Sequence, residues 1–347
     1  MKAMTAVPGQ PGTAAVTEFD GPVGDGDVLV AGLAVGICGT DVEIADGEYG
    51  TPPEGADRLV LGHESVGRVL AAPPGCGLGV DDLVVGIVRR PDPEPCEACA
   101  VGAWDMCRNG RYTERGIAGL HGYGAERWLV EPEFAVRVPT VLGRLAVLVE
   151  PASVVAKAWD QIDRIVAGMP FTPRSVLVTG AGPIGLLAAL LAVQRGFVVD
   201  VLDRAVTGPK PDLVTDLGAT YHTGSLSDLA PADIVLECTG APPVIVDALR
   251  RNSRGGITCL TGVSSGGRTL DIDIGAANRR IVLENDVVFG TVNANRSHYD
   301  AAVAALDAAD PTWLERLVTR RVPLDEWVDG LERGPDDVKV VVDLTRP

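Results

Sequence analysis

An α/β protein of two domains, one β-rich and one built on a doubly wound parallel sheet, is what this sequence predicts, on three observations. At 347 residues the chain is longer than one hydrophobic core usually serves. Its texture changes near Arg174, from short strands broken by Gly and Pro to strands alternating with helices. A glycine-rich turn, Gly180-Ala181-Gly182-Pro183-Ile184-Gly185, lies between a strand-like run and a helical one.

In chain order, Asp27 to Leu33, Ser65 to Leu70 and Leu83 to Val88 read as strands of the β-rich part. After Arg174 come Ser175 to Thr179, Phe197 to Asp203, Ala232 to Cys238, Gly256 to Thr261 and Asp286 to Val292. Each is apolar nearly throughout, as strands are when helices cover both faces of a parallel sheet. Pro183 to Arg195 predicts a helix, with Pro in its first turn and Gly196 at its end. The apolar stretch Val176 to Val199 is therefore strand, turn and helix, not a membrane span. An amphipathic stretch at Ser297 to Ala308, the segment Trp313 to Glu332 and a last strand at Val338 to Leu344 complete the chain.

The net charge of −17, from 47 acidic and 30 basic residues, repels phosphate backbones and anionic lipid, so nucleic-acid and membrane partners are not expected. Its simplest meaning is solubility. Seven cysteines, three of them crowded between Cys96 and Cys107, point to a reducing, cytoplasmic setting and to metal rather than a disulfide framework. Met1 to Asp20 has one Lys and no continuous apolar core, unlike a secretory signal.

The glycine-rich turn carries the first chemistry. Following a strand and opening a helix, Gly180 permits a tight turn, Gly182 lets the backbone approach a pyrophosphate, and Gly185 lets helix and strand pack closely. Pro183 and Ile184 open the helix whose free N–H groups face the phosphates. This is a Rossmann dinucleotide site. Asp203, eighteen residues past Gly185, is placed to accept the ribose hydroxyls and to repel a 2′-phosphate, which favours NAD; Arg204 beside it leaves NADP open.

The second chemistry is a metal. Cys38 in Gly36-Ile37-Cys38-Gly39-Thr40-Asp41, His63 and Glu64 after Gly62, and Glu150 before Pro151 combine a thiol, an imidazole and carboxylates, which suits catalytic zinc. With these settings and the glycine turn, the chain resembles the zinc-dependent medium-chain alcohol dehydrogenases, most nearly their glucose dehydrogenase branch. The resemblance implies a GroES-like catalytic domain over 1–150 and 295–347 and the Rossmann domain over 151–294. It implies that Cys38, His63 and Glu150 bind the zinc, with Glu64 at or just behind them, and that Thr40 takes the first proton. It places Leu260, Gly262, Val263, Thr291, Val292 and Asn293 beside the nicotinamide half of the cofactor.

Cys96, Cys99 and Cys107 resemble the structural-zinc lobe of the superfamily, where four cysteines are usual. Pro93 stands where the first would fall; Asp92 or Glu94 on either side can supply an oxygen, Asp92 being the expected fourth ligand, and an empty or oxidised lobe is the alternative. Glu114, Asn293 and His298 match sugar-facing positions, and Thr40 and Glu150 border the same substrate. Val154 and Val88 stand where some relatives carry an aspartate and an asparagine. The expected substrate is thus polyhydroxylated: glucose, a related aldose, an amino sugar, a cyclitol or another polyol. A dehydrogenase or reductase for a simpler secondary alcohol or ketone, and a non-catalytic nucleotide-binding protein, are the alternatives. The superfamily resemblance also implies a homodimer or homotetramer.

Overall fold

The computed structural model describes residues 1–264 and 269–345. The chain divides into two compact units, Met1–Ser153 with Asn293–Pro347, and Val154–Val292.

The first unit is built on a seven-stranded sheet in which Ala135–Val138, Leu83–Gly86, Glu64–Ala71, Val28–Ile37, Lys339–Asp343 and Val318–Pro323 lie side by side, with Arg127–Val130 also paired to Val28–Ile37. Val28–Ile37 is the organising strand. It pairs antiparallel with Glu64–Ala71 and with Lys339–Asp343, in a register that sets Glu64 and Val341 on either side of Gly36. Three distant segments therefore meet just before Cys38. Beneath the strands Met4, Val35, Ile44, Leu61, Trp327 and Val342 form a buried core. The segment 313–332, unassigned from sequence, folds partly as the strand Val318–Pro323, whose polar Thr319, Arg320 and Arg321 obscure its strand pattern.

Beside this sheet Arg90 and Arg115 converge on Glu131, at 2.7 and 3.2 Å respectively, with Arg115 only 1% exposed. Burial raises the Glu131 pKa, but Arg90 and then Arg115 outweigh it and hold the carboxyl below its ordinary 4.5. That contribution to stability is complete above the unfolded pKa and is lost as pH falls through the lower folded value. Glu131→Gln is expected to lower stability by about 1–3 kcal/mol at neutral pH. The deficit should shrink as pH falls below about 4, as urea unfolding at a series of pH values would show.

The second unit is an all-parallel six-stranded sheet in the order Thr220–His222, Val198–Leu202, Ser175–Thr179, Ala232–Glu237, Asn252–Leu260, Val287–Gly290. The strand order reverses at Ser175–Thr179, the place where such sheets bind ligands beyond their carboxyl ends. The helix Pro183–Gln194 has an unbroken buried run from Gly185 to Ala192. An apolar helix without an amphipathic stripe is one buried all round. Among the described residues no helix is long and apolar enough to cross a membrane. Asn252–Leu260 begins four residues before the expected start at Gly256. An 18-residue helix, Val149–Val166, occupies a stretch to which the sequence reading assigns no element. Its signal is present: Val155, Ala158, Trp159 and Ile162 are buried at helical spacing.

Candidate active site

Cys38 ends the organising strand and caps the seven-residue helix Gly39–Ala45. Its Sγ accepts the Thr40 N–H at 3.3 Å, while the Asp41 carboxylate accepts the Cys38 N–H at 2.9 Å. The cap fixes the thiol where His63 and Glu64 enter the neighbouring strand. Ligand atoms of Cys38, His63 and Glu64 all lie within 4.8 Å of one another. Cys38 Sγ stands 2.9 Å from His63 Nε2, and His63 Nδ1 faces Asp41 Oδ1 at 3.6 Å. Asp41 was not foreseen from sequence as part of the site. A carboxylate behind the far nitrogen of a metal-bound histidine orients the ring and raises its basicity.

Lys339, 2% exposed, pairs with Glu64 and donates to the Ile37 carbonyl at 3.1 Å. Gly36 admits this arrangement, because a Cβ there would collide with the Glu64 carboxylate. Glu150, at the start of the helix Val149–Val166, stands outside the 4.8 Å group, yet its charge acts on His63. Burial opposes charge on His63, but Cys38, Asp41 and Glu150 prevail and hold the imidazole protonated well above its usual range. Burial also raises Glu150 to about 7; Glu64 and Asp41 add to the rise, and His63 and Lys339 oppose it. So many anionic donors around one imidazole call for a cation. Sulfur, imidazole and carboxylate together fit zinc.

In the parallel-sheet unit, Gly180 adopts φ +89°, and its N–H bonds the Leu202 carbonyl at 2.7 Å. A Cβ on Gly185 would run into the Gly180 carbonyl, so loop and helix touch there as expected. Gly182, which caps the helix, has open space where its Cβ would be. The fold itself does not need glycine at 182. Pro183 and Ile184 follow as the first helical residues. Gly262 donates to the Glu237 carbonyl at 3.1 Å and Thr291 to the Leu260 carbonyl at 3.0 Å, and Val263 is exposed. The Val292 carbonyl accepts from buried Lys157 at 3.0 Å.

Asp203 is not free. Its Oδ2 accepts the Ala181 N–H at 2.7 Å, its Oδ1 the Ala205 N–H at 3.0 Å, and Lys210 Nζ lies 3.2 Å from both oxygens. Arg204 beside it is exposed.

The three sugar-facing candidates belong to one polar network in the first unit. Glu114 Oε1 accepts from Asn293 Nδ2 at 2.6 Å and from Arg89 Nε and Nη2 at 3.2 and 3.0 Å. Arg89 also donates to the Asp105 carbonyl at 3.2 Å and stacks over the Tyr112 ring at 3.7 Å. The Asp105 carboxylate accepts from Asn295 Nδ2 at 2.8 Å and faces His298 Nδ1 at 4.0 Å. Asn293 itself has φ +62°. Sequence reasoning missed Arg89, Asp105 and Asn295, since nothing local marks an arginine as buried. Three donors on Glu114 Oε1 orient the carboxylate.

Cys96, Cys99 and Cys107 gather their sulfurs within 4.8 Å. The Asp92 carboxylate is not brought into that group: it accepts from Glu94 N at 2.9 Å, Asn109 Nδ2 at 2.8 Å and Arg111 Nε at 3.2 Å. His121 accepts the Val60 N–H at 3.1 Å, and His222 pairs with Asp200 at 2.6 Å, structural roles for both.

Known proteins resemble this chain. The family model "Alcohol dehydrogenase GroES-like domain" matches residues 24–140, and "Glucose dehydrogenase C-terminus" matches residues 143–344. A glucose 1-dehydrogenase of Methanocella arvoryzae is 39% identical over 357 residues, covering 99% of each chain. One from Thermoproteus tenax is 38% identical over 356 residues, again with 99% of each chain covered. Among solved structures, Haloferax mediterranei glucose dehydrogenase in complex with NADP, Zn and gluconolactone matches with a TM-score of 0.91 at 32% identity over 100% of both chains. Escherichia coli L-idonate 5-dehydrogenase, at 20% identity and a TM-score of 0.82 over 99% of this chain and 98% of that one, shares the fold.

Proposed function

The chain belongs to the glucose dehydrogenase branch of the zinc-dependent medium-chain alcohol dehydrogenases, and from that premise we propose that it oxidises the anomeric hydroxyl of an aldose to a lactone, with NAD(P) taking the hydride. The observation that carries this reading is the union, in one unit, of the Cys38–His63–Glu64 cluster with the Glu114–Arg89–Asp105 network. Cys38, His63 and Glu150, with Glu64 beside them, would hold the zinc, which when bound would supply Lewis acidity toward a substrate hydroxyl. Thr40 Oγ1 receives that hydroxyl's proton and passes it on, since a hydroxyl donates and accepts at once. Glu114 Oε2, oriented through Arg89 and Asn293, accepts a sugar hydroxyl, and the His298–Asp105–Asn295 group offers further polar contact. A buried polar network of this kind rejects substrates that leave it unpaired, by as much as about 10⁴-fold in favourable cases.

The lobe thiols support a second zinc on Cys96, Cys99 and Cys107. Asp92, which lies outside that sulfur group, would complete the tetrahedron only by moving toward it. Seven free thiols suit a reducing compartment, and we take the protein as cytoplasmic. The strand Val287–Gly290 ends its sheet, and exposed Ile274, Val282, Leu283 and Val288 on or near it support a homodimer formed through that edge.

Purified protein, assayed for reduced nicotinamide with aldoses, polyols and simple secondary alcohols and with both cofactors, is expected to show its highest kcat/KM on an aldose. A simple alcohol preferred over every sugar would point to the secondary-alcohol enzyme instead. Full zinc content without turnover on any alcohol would favour a nucleotide-binding protein that lacks catalysis.

A further inference from the structure

We propose that Glu237 is a positioning residue of the hydride-transfer reaction: its buried carboxylate holds the loops at Thr239–Gly240 and Gly262–Val263 together, and so fixes the wall that the family resemblance sets beside the nicotinamide. The inference deepens the dehydrogenase reading and rests on it. Glu237 ends the strand Ala232–Glu237, which lies between Ser175–Thr179 and Asn252–Leu260. It is fully buried. Its Oε1 accepts from Thr239 N at 2.8 Å, from Thr179 Oγ1 at 3.3 Å and from the Thr239 hydroxyl, while Oε2 accepts the Gly240 N–H at 3.2 Å. Its carbonyl accepts Thr261 N at 2.9 Å and Thr261 Oγ1 at 2.8 Å, besides Gly262 N. One residue thus gathers donors from the carboxyl ends of three neighbouring strands. Burying a carboxyl costs free energy unless donors meet it, and uncharged donors do so here. Packing alone asks for no carboxyl at this place; holding donors on two sides does, because both oxygens accept.

The loops it holds touch backbone to backbone. A Cβ on Gly262 would collide with Gly240 N, and one on Gly240, which has φ +63°, would collide with the Val263 carbonyl. Ser264 Oγ closes the contact by donating to the Gly240 carbonyl at 2.7 Å. On the other side, a Cβ on Gly180 would come within 2.8 Å of Thr239 Cγ2. The order of contact is therefore Gly180, Thr239, Glu237, Gly240, Gly262. Any shift of Gly240 passes directly to Gly262 and Val263. The glycine turn at Gly180 is held independently, by its bond to the Leu202 carbonyl. Hydride transfer tolerates little misplacement of the reacting ring.

Glu237→Gln separates the two sides. The donors on Oε1 favour the amide oxygen there, which turns the NH2 toward the Gly240 N–H, donor against donor. Thr179 and Thr239 keep their acceptor, and Gly240 is pushed away. Full-length zinc protein is titrated by calorimetry with ADP and with whichever of NADH and NADPH the unmodified protein binds more tightly. The variant is expected to bind that coenzyme about tenfold more weakly, and to bind ADP, which lacks the nicotinamide half, within about twofold of the unmodified protein. Gly240→Ala drives the same two loops apart through the Val263 carbonyl. It should shift the coenzyme to ADP affinity ratio in the same direction, and it carries the test if Glu237→Gln does not fold. A role in stability alone would lower the melting temperature and leave that ratio unmoved, and an unmoved ratio overturns the proposal. Unmodified protein that binds neither coenzyme nor ADP would overturn the dehydrogenase reading itself, and this inference with it.

Discussion

His63→Ala is expected to leave the protein without its catalytic zinc and to lower kcat/KM by about 10³-fold or more, since Lewis-acid stabilisation worth several kcal/mol is lost and each 1.36 kcal/mol is tenfold. Among the described residues this cluster holds no second imidazole. Cys38 Sγ lies 2.9 Å from His63 Nε2, and Asp41 stands behind Nδ1 rather than beside the sulfur. Without the ring, Cys38, Glu64 and Asp41 remain as a buried acidic cluster with Lys339 as its one close cation. Metal analysis by mass spectrometry together with turnover on an aldose checks this. Zinc retained at the wild-type level with near-normal turnover would remove His63 from the ligand set. Calorimetric binding of ADP should be unchanged, because the glycine-rich loop lies in a separate compact unit.

Gly185→Val is expected to do the opposite, keeping zinc and losing the dinucleotide. The new Cβ would strike the Gly180 carbonyl, with Val178 Cγ1 a further 3.4 Å neighbour, so the helix start must move off the loop. Overpacking of this kind costs typically about 1–3 kcal/mol of stability. The larger effect falls on nucleotide affinity, which should drop more than about 100-fold as the helix N-terminus is re-aimed. Gly182→Ala is the control. Its Cβ meets nothing in the protein, so melting temperature should hold while nucleotide affinity falls. A Gly185→Val protein that binds ADP normally would show that the loop does not receive the pyrophosphate.

The parts of this molecule legible in its sequence are those whose signal is local. The parallel sheet announces itself through apolar runs, and the glycine turn through its place between strand Ser175–Thr179 and helix Pro183–Gln194. Cys38, His63 and Glu64 stand in short glycine-flanked settings that survive reading in isolation. Asp203 shows the limit. Sequence displays the carboxylate, but not the two amides and the lysine that surround it. Arg89 and Lys339 were invisible for a related reason: each is buried only because a carboxylate from a remote segment meets it. The helix Val149–Val166 was legible and overlooked, its buried spacing masked by Pro151 in the first turn.

The hydrogen bond from Lys339 to the Ile37 carbonyl spans 302 residues, and the strand that bears it, Lys339–Asp343, comes after the whole parallel-sheet unit in chain order. On the ribosome, Cys38 and His63 emerge long before the lysine that neutralises Glu64 has been translated. The cluster is thus complete only once Lys339–Asp343 has been made and slots in beside Val28–Ile37. A truncation that removes Lys339–Asp343 is therefore expected to leave Glu64 buried without that cation, and to be as damaging as one made far upstream.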